Sequence, residues 1–582
     1  MPELFLDLTA CHQHLVRVRL RHTPSHPSLG FSLPGWTPGS YLIRDYVRQL
    51  EGLTVMQAGR TIEPRRLTPS RWQLELTSLE PLEISYTLVA AELTVRTCHL
   101  DGDHGFLALA AVALELEGER WSPHTLQLSL PVGWQAFVPL PAAAGAPPAD
   151  GAAGSWIAHD FDQLVDTPVE VGPHRVHHFS VAAVPHRWVT WGSDLLGADP
   201  LESDPLWLSD LEQVCLACCR LMGVEQPPAP HYLFVLHLTD NGYGGLEHDL
   251  STVLQFGRRA LARPGGRRKL LQLAAHEYLH QWNVRRLRPA ELTPYRYDRA
   301  VVVPTLWFAE GITSYVDQLL PHSAGCCPES EVLEDLGADL SRYLLSPGRG
   351  VQSLQASSEE AWVKLYRPDA HSPNSQISYY LKGAVLALVL DLHLRRAGSC
   401  LPVVLKNLWD SHGVVGRGYR QDDLIQAFAR QAPDLAELLP RWLNACEDPP
   451  LHASLAEVGL RLQPQHSRSQ ELGCRLEAGT GGLKLVWVGR DGPAARAGLA
   501  VGDEWIALNR VRLRNLEDCM DQFREETPLT AHQLLFCRDG LVRSTSLLPE
   551  SPAVESWRLE IVPETAEATA PQRRRWLTLE TS

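Results

Sequence analysis

A chain of 582 residues, 44% hydrophobic and 21% charged, has the make-up of ordinary globular protein, and at roughly 100–200 residues per domain it has room for three or four domains. Its formal net charge of -15 serves solubility and argues against a general nucleic-acid binder, because it would repel phosphate. The start, MPELFLDLTACHQHLVRVRL, alternates apolar and polar residues instead of building a secretory apolar core. No run approaches the ~20 apolar residues of a membrane span, so a cytoplasmic protein without membrane contact is expected. The twelve cysteines are scattered without paired CxxC spacing and read as reduced thiols.

The pattern predicts a multidomain α+β chain. Residues 1–175 are expected to form a β-rich domain, since HLVRVRL, RWQLELTSL and LEISYTLVAAELTV alternate with period two between Pro and Gly breaks. PAAAGAPPADGAAG (141–154) reads as a flexible low-complexity loop. Residues 176–450 carry long helical patterns, PLWLSDLEQVCLACCRLMG, RKLLQLAAHEYLHQWNVRRL, PTLWFAEGITSYVDQLL and YYLKGAVLALVLDLHLRRAG, with one strand-like run, HYLFVLHL, and a Gly-rich turn before the second. Strands return over 451–552, and 553–582 form a tail for which a tethered helix and a free end are both open.

The chemistry concentrates in HEYLH. On a helix, positions i and i+4 share a face, so His276 and His280 can aim two imidazole nitrogens at one point. Glu277, turned about 100° by one residue step, falls beside that point, where it can take a proton from water acidified by zinc. A catalytic zinc needs a third protein ligand. Asn283 and Arg286 stand where a metzincin would have Gly and His, which excludes that class. Of the acidic residues downstream, Glu291, Asp298, Glu310 and Asp317, the favoured ligand is Glu310, a lone carboxylate amid LWFA that a cation would explain. In NGYGGLEHDLSTVL, Glu247 follows Gly244 and Gly245 on a segment suited to a sheet edge. Such an edge can hold an extended peptide, and a carboxylate beside it can bind a free ammonium. Tyr379 and Tyr380 open a helix, and a tyrosine hydroxyl is a good donor to an oxyanion.

Taken together, HEYLHQWNVRRLRP, LWFAEGITSYVD, GGLEHDLST, AWVKLYRPDAHSPNSQISYYLKG, PGWTPGSYLIRDYVRQL and DFDQLVDTPVEVG resemble the glycyl aminopeptidase family of gluzincin metallopeptidases, over essentially the whole chain. The resemblance implies a thermolysin-like, mainly helical catalytic domain over 176–450 and a PDZ domain over 451–552. It also implies one zinc per chain on His276, His280 and Glu310, with Glu277 as general base. GGLEH takes the place of the amine-anchoring motif of gluzincin aminopeptidases, which implies Glu247 as anchor with Gly244 and Gly245 beside the substrate. The transition-state tyrosine is then Tyr380, with Tyr379 the near alternative. In those enzymes the glutamate ligand usually follows HExxH by 18 residues, whereas here 29 separate His280 from Glu310, as in this particular family. The expected activity is removal of the N-terminal residue from peptides with a free N-terminus, glycine or another small residue first. The rivals are an endopeptidase of the same fold and a non-catalytic PDZ scaffold. ELGCRLE is the candidate loop for a peptide C-terminus, although LGCR departs from the usual Gly-Φ-Gly-Φ form.

Overall fold

Strand Leu15–His22 shows how the first region is built: Val16, Val18 and Leu20 are buried while Arg17, Arg19 and Arg21 face outward. In the computed structural model, which describes residues 1–143, 154–479 and 482–581, this strand lies inside a seven-stranded sheet. Its neighbours are Glu3–Asp7 on one side and Leu82–Val89 on the other, both antiparallel. Two four-stranded sheets complete the N-terminal region. Residues 144–153 of the expected low-complexity loop lie outside the described residues.

A five-stranded sheet begins at Val176. Val184–Trp191, Tyr232–Thr239 and Ser251–Gly257 run parallel, Val176–Val181 flanks them antiparallel, and Tyr243–Glu247 closes the other side as an antiparallel edge strand. The sequence disclosed Tyr232–Thr239, buried over seven of its eight residues like a central strand in a parallel sheet, and offered the segment of Glu247 as a sheet edge; the other three strands it did not show. Helices pack on this sheet. The HExxH helix Gly266–Leu279 crosses Thr313–Ser323, and the long helix Tyr379–Arg396 runs through the core. By length and composition Ser372–Arg396 is apolar enough to cross a membrane, which the sequence reading of this helix did not expect. It is 83% buried inside the protein, which makes it a core helix.

Buried contacts join the N-terminal region to the rest of the chain. Glu170 of the N-terminal region is fully buried and meets three imidazoles: His104 Nδ1 at 3.0 Å, His174 Nε2 at 2.8 Å and, from the five-stranded sheet, His237 Nε2 at 2.8 Å. Trp36 and Tyr41, from the PGWTPGSY segment, pack edge-on against Trp362 at 5.1 and 5.8 Å.

Beyond residue 460 a sheet with its own core forms around Leu483, Leu485, Trp505, Phe523 and Phe536. It is bracketed by Leu460–His466 and Val554–Ile561, which pair with each other antiparallel. The last thirty residues therefore supply a strand and then a helix, Ala566–Leu577, that returns to the catalytic region. There Trp576 is fully buried and donates its indole N–H to the Tyr315 hydroxyl at 2.6 Å, while Arg573 pairs with Glu329 at 2.5 Å.

Candidate active site

Helix Gly266–Leu279 presents His276 and Glu277 in its last turn, and His280 follows as its C-cap. Each imidazole is oriented by its Nδ1–H: His276 donates to Asp317 Oδ2 at 2.8 Å, and His280 donates to the carbonyl of Asn283 at 2.6 Å. Both Nε2 atoms are thereby turned toward Glu310 Oε2, at 3.6 and 3.3 Å. Bonds of about 2.0–2.2 Å to one tetrahedral ion place its ligands about 3.3–3.6 Å apart, so the three donors fit a zinc. The contacts of Glu170 with its histidines are those of hydrogen bonds, and that cluster fits a proton network better than an ion.

Glu310 arrives by local geometry the sequence did not reveal. It sits in a π-helical turn, Trp307–Ile312, ahead of helix Thr313–Ser323, rather than within a regular amphipathic helix. The next residue, Gly311, crosses Gly383 so closely that a Cβ on either would strike the other's backbone. This glycine-on-glycine crossing brings the start of helix Tyr379–Arg396 up to the site. The intervening Lys382 is buried and donates to the carbonyls of Arg349 and Gln352, at 3.0 and 3.2 Å. Tyr380 lines the cavity, its ring 6.3 Å from that of His276 and its hydroxyl 3.1 Å from that of Tyr366. Tyr379 stacks behind Tyr380 and bonds to the Tyr366 hydroxyl at 3.4 Å, outside the cavity lining. Of the other acidic residues weighed as ligands, Asp317 orients His276, whereas Asp298 pairs with Arg299 and Glu291 faces Arg420, both away from the cavity.

The edge strand Tyr243–Glu247 lies along the HExxH helix. A Cβ at Gly245 would overlap the Glu277 carboxylate, so glycine at 245 is what lets the strand approach the base. Glu247 is 3% exposed, and its carboxylate falls within 4.8 Å of those of Glu277 and the nitrogen of His280. Gly39, at φ +80, backs onto it and leaves no room for a side chain. Among the described residues Glu247 Oε1 and Glu277 Oε2 are buried without a hydrogen-bond partner. Burial pushes the Glu277 carboxyl up to about 7 against the pull of His276 and His280, with Glu247 and Glu310 adding to the rise. Burial would raise Glu310 too, but His280 and His276 beside it overcome this and hold it at about 2.

Arg96 was not foreseen. It reaches over from the N-terminal region, lines the cavity and donates to the carbonyl of Gly245 at 3.0 Å. Nothing in its local sequence, LTVRTC, marks it, because the partner lies far along the chain.

Two helix-borne histidines, one buried and one nearly so, a glutamate completing the donor set and a second glutamate beside them make up the site of a metallopeptidase of the HExxH type. Residues 3–173 match the peptidase M61 N-terminal domain and residues 269–386 match the M61 glycyl aminopeptidase family, so both of these segments are those of that family. The chain is similar to an aminopeptidase N family protein from Idiomarina loihiensis, at 29% identity and a TM-score of 0.91, with 99% of this chain and all of that one covered. It also aligns with an M1 zinc metallopeptidase from Deinococcus radiodurans at 14% identity and a TM-score of 0.49, over 77% of this chain and 94% of that one. No curated protein matched.

Proposed function

We propose that this metallopeptidase is a zinc aminopeptidase with one zinc per chain that removes the N-terminal residue of peptides, glycine or another small residue first. The observation that carries the reading is Glu247: a buried carboxylate with an unpartnered oxygen, at the end of an open edge strand and beside the base, is suited to a substrate ammonium. An endopeptidase gains nothing from such an anchor. His276, His280 and Glu310 would hold the zinc, which when bound would supply a Lewis acid for the water and the carbonyl. Glu277 takes a proton at its carboxylate from the attacking water and passes it to the leaving amine nitrogen. Tyr380 donates its hydroxyl proton in a hydrogen bond to the carbonyl oxygen as negative charge grows there. The substrate backbone lies along Tyr243–Glu247 as an added strand, with Gly244 and Gly245 keeping that edge bare. The preference for a small first residue follows the glycyl aminopeptidase description of the matched family.

The C-terminal module is assigned a PDZ fold used for packing. At its candidate carboxylate-binding loop the Gly473 N–H donates to the chain's own Glu471 carboxylate at 2.6 Å, and the module is pinned by Asn374 Nδ2 donating to Val488 O at 2.7 Å. A cytoplasmic location is supported by its twelve free cysteines. The test of the function is hydrolysis of a free peptide and its N-acetylated twin, before and after chelation and zinc restoration. Cleavage of the free peptide alone, lost and regained with zinc, is expected. Equal cleavage of both overturns the reading.

A further inference from the structure

The cavity of about 480 Å³ that holds the two histidines and Glu310 continues past them. Glu247 and Arg96 line it, and so do Lys269, Asp339 and Arg342. Two elements fix which end is which. Lys269 precedes His276 by two helical turns, so it shares that face and lies about 10 Å back along the axis. Glu247 groups with Glu277 and His280, at the opposite end of the helix. The edge strand repeats this direction. Tyr243 feels Asp317, Asp339 and Arg342 as well as Glu277, while Glu247, about 13 Å further along the strand, groups with Glu277 and His280 and not with Asp339 or Arg342. The cavity thus has an unpartnered anion at one end and two cations at the other.

Those cations have donors to spare. Lys269 Nζ holds Asp335 at 2.9 Å and Arg342 holds Asp339 at 3.1 Å, with side chains 44% and 66% exposed. An ammonium has three donors and a guanidinium five. The strand edge between the two ends is usable. The His248 N–H donates to the Ser251 carbonyl of the neighbouring strand and the Leu246 carbonyl accepts from the Thr252 hydroxyl, so the backbone groups of Gly245, the residue before, face the open side, where Arg96 meets its carbonyl. A peptide pairing antiparallel to this edge with its ammonium at Glu247 runs toward Tyr243 and the cations.

We propose that Lys269 and Arg342 receive the C-terminal carboxylate of the substrate, and that the preferred substrates are zwitterionic peptides of about three to five residues. The proposal rests on the aminopeptidase reading for the position of the ammonium. The length follows from geometry: Lys269 to His280 spans about 16 Å of helix, and an extended peptide rises about 3.3 Å per residue. Asp335 and Asp339 offset much of the positive charge and the site is open to water, so the carboxylate is worth on the order of 2- to 5-fold.

The test compares a tetrapeptide and an octapeptide, each as free acid and as C-terminal amide, by kcat/KM with wild type and by calorimetric Kd with the zinc-loaded Glu277→Gln variant. The free acid is expected to be favoured about 2- to 5-fold for the tetrapeptide, through KM and Kd, and not for the octapeptide. The preference should vanish in Lys269→Met/Arg342→Gln. Arg342→Gln alone, at an exposed position, should halve it or more and serves if the double variant is unstable. Equal values for tetrapeptide acid and amide overturn the inference while leaving the aminopeptidase reading standing, as does a preference that survives both substitutions. Equal cleavage of N-acetylated and free tetrapeptides overturns that reading itself, and this inference with it.

Discussion

Glu247→Ala is expected to cut hydrolysis of peptides with a free N-terminus by roughly 30-fold to several-thousand-fold in kcat/KM, and to leave N-acetylated peptides nearly as poor as before. The magnitude comes from the site. The carboxylate is 3% exposed, Gly39 seals it from behind, and its Oε1 is unpartnered among the described residues. An ammonium entering there forms a desolvated ion pair, and removing one member of such a pair costs about 2–5 kcal/mol, at 1.36 kcal/mol per factor of ten. The acetylated peptide has no ammonium to lose and already leaves the carboxylate unpaired in wild type. Initial rates for both enzymes on both peptides make a double-mutant cycle that separates lost pairing from general damage. Zinc content and the thermal transition are measured alongside. Equal losses on the free and blocked peptides, with metal and fold intact, would refute the assignment and put the endopeptidase ahead.

Four further outcomes are expected. Glu277→Gln keeps zinc by metal analysis but loses at least about 10²-fold in kcat, the low end of what a general base contributes, whereas Glu310→Gln weakens zinc itself; the reverse pattern would exchange their roles. Asp317→Asn lowers zinc affinity about 10- to 100-fold, read by chelator competition, because Asp317 fixes the His276 ring. Trp576→Ala destabilises the catalytic region by about 3–5 kcal/mol, seen in urea unfolding, since the indole is fully buried and bonded to Tyr315. Burial pushes the His186 imidazole down to about 4 from the usual 6.5, with its Nδ1–H on the Val184 carbonyl and its Nε2 on the Tyr278 hydroxyl. Its folded pKa is depressed, so as pH falls from 6.5 toward 4 the unfolded chain takes up a proton that the folded one refuses. Stability drops across that window by about 3 kcal/mol, and His186→Phe should flatten the slope whatever it does to the level.

What the sequence disclosed and what it hid divide along physical lines. His276, Glu277 and His280 follow from helical periodicity alone, and Glu310 from the cost of an isolated carboxylate amid Leu306, Trp307 and Phe308. Asp317 was visible as an acidic residue near the site, but one ring nitrogen's partner cannot be told from the other's ligand without coordinates. The π-helical turn at Trp307–Ile312 and the Gly311–Gly383 crossing are tertiary facts: each glycine looks incidental until the other helix lies against it. Arg96 and Gly39 belong to the N-terminal region and reach the catalytic cavity only because the chain folds across itself. Most of the five-stranded sheet was missed because buried strands such as Ser251–Gly257 lack the alternation that betrays a half-exposed one. In the same way, pairing of Val554–Ile561 with Leu460–His466 cannot be read from either segment by itself.

That last pairing makes the C-terminal module an excursion. The chain leaves the ladder at His466 and rejoins it at Val554, and these two residues face each other across the strands, about 5 Å apart. A gap of that size can be bridged by a short hairpin turn. Residues 467–553 can therefore be cut out and the ends rejoined while the helix bearing Trp576 stays docked, whereas trimming the chain from its C-terminus removes that helix first. A shortened form that keeps the docked helix is therefore made by excising an internal stretch and not by trimming the end.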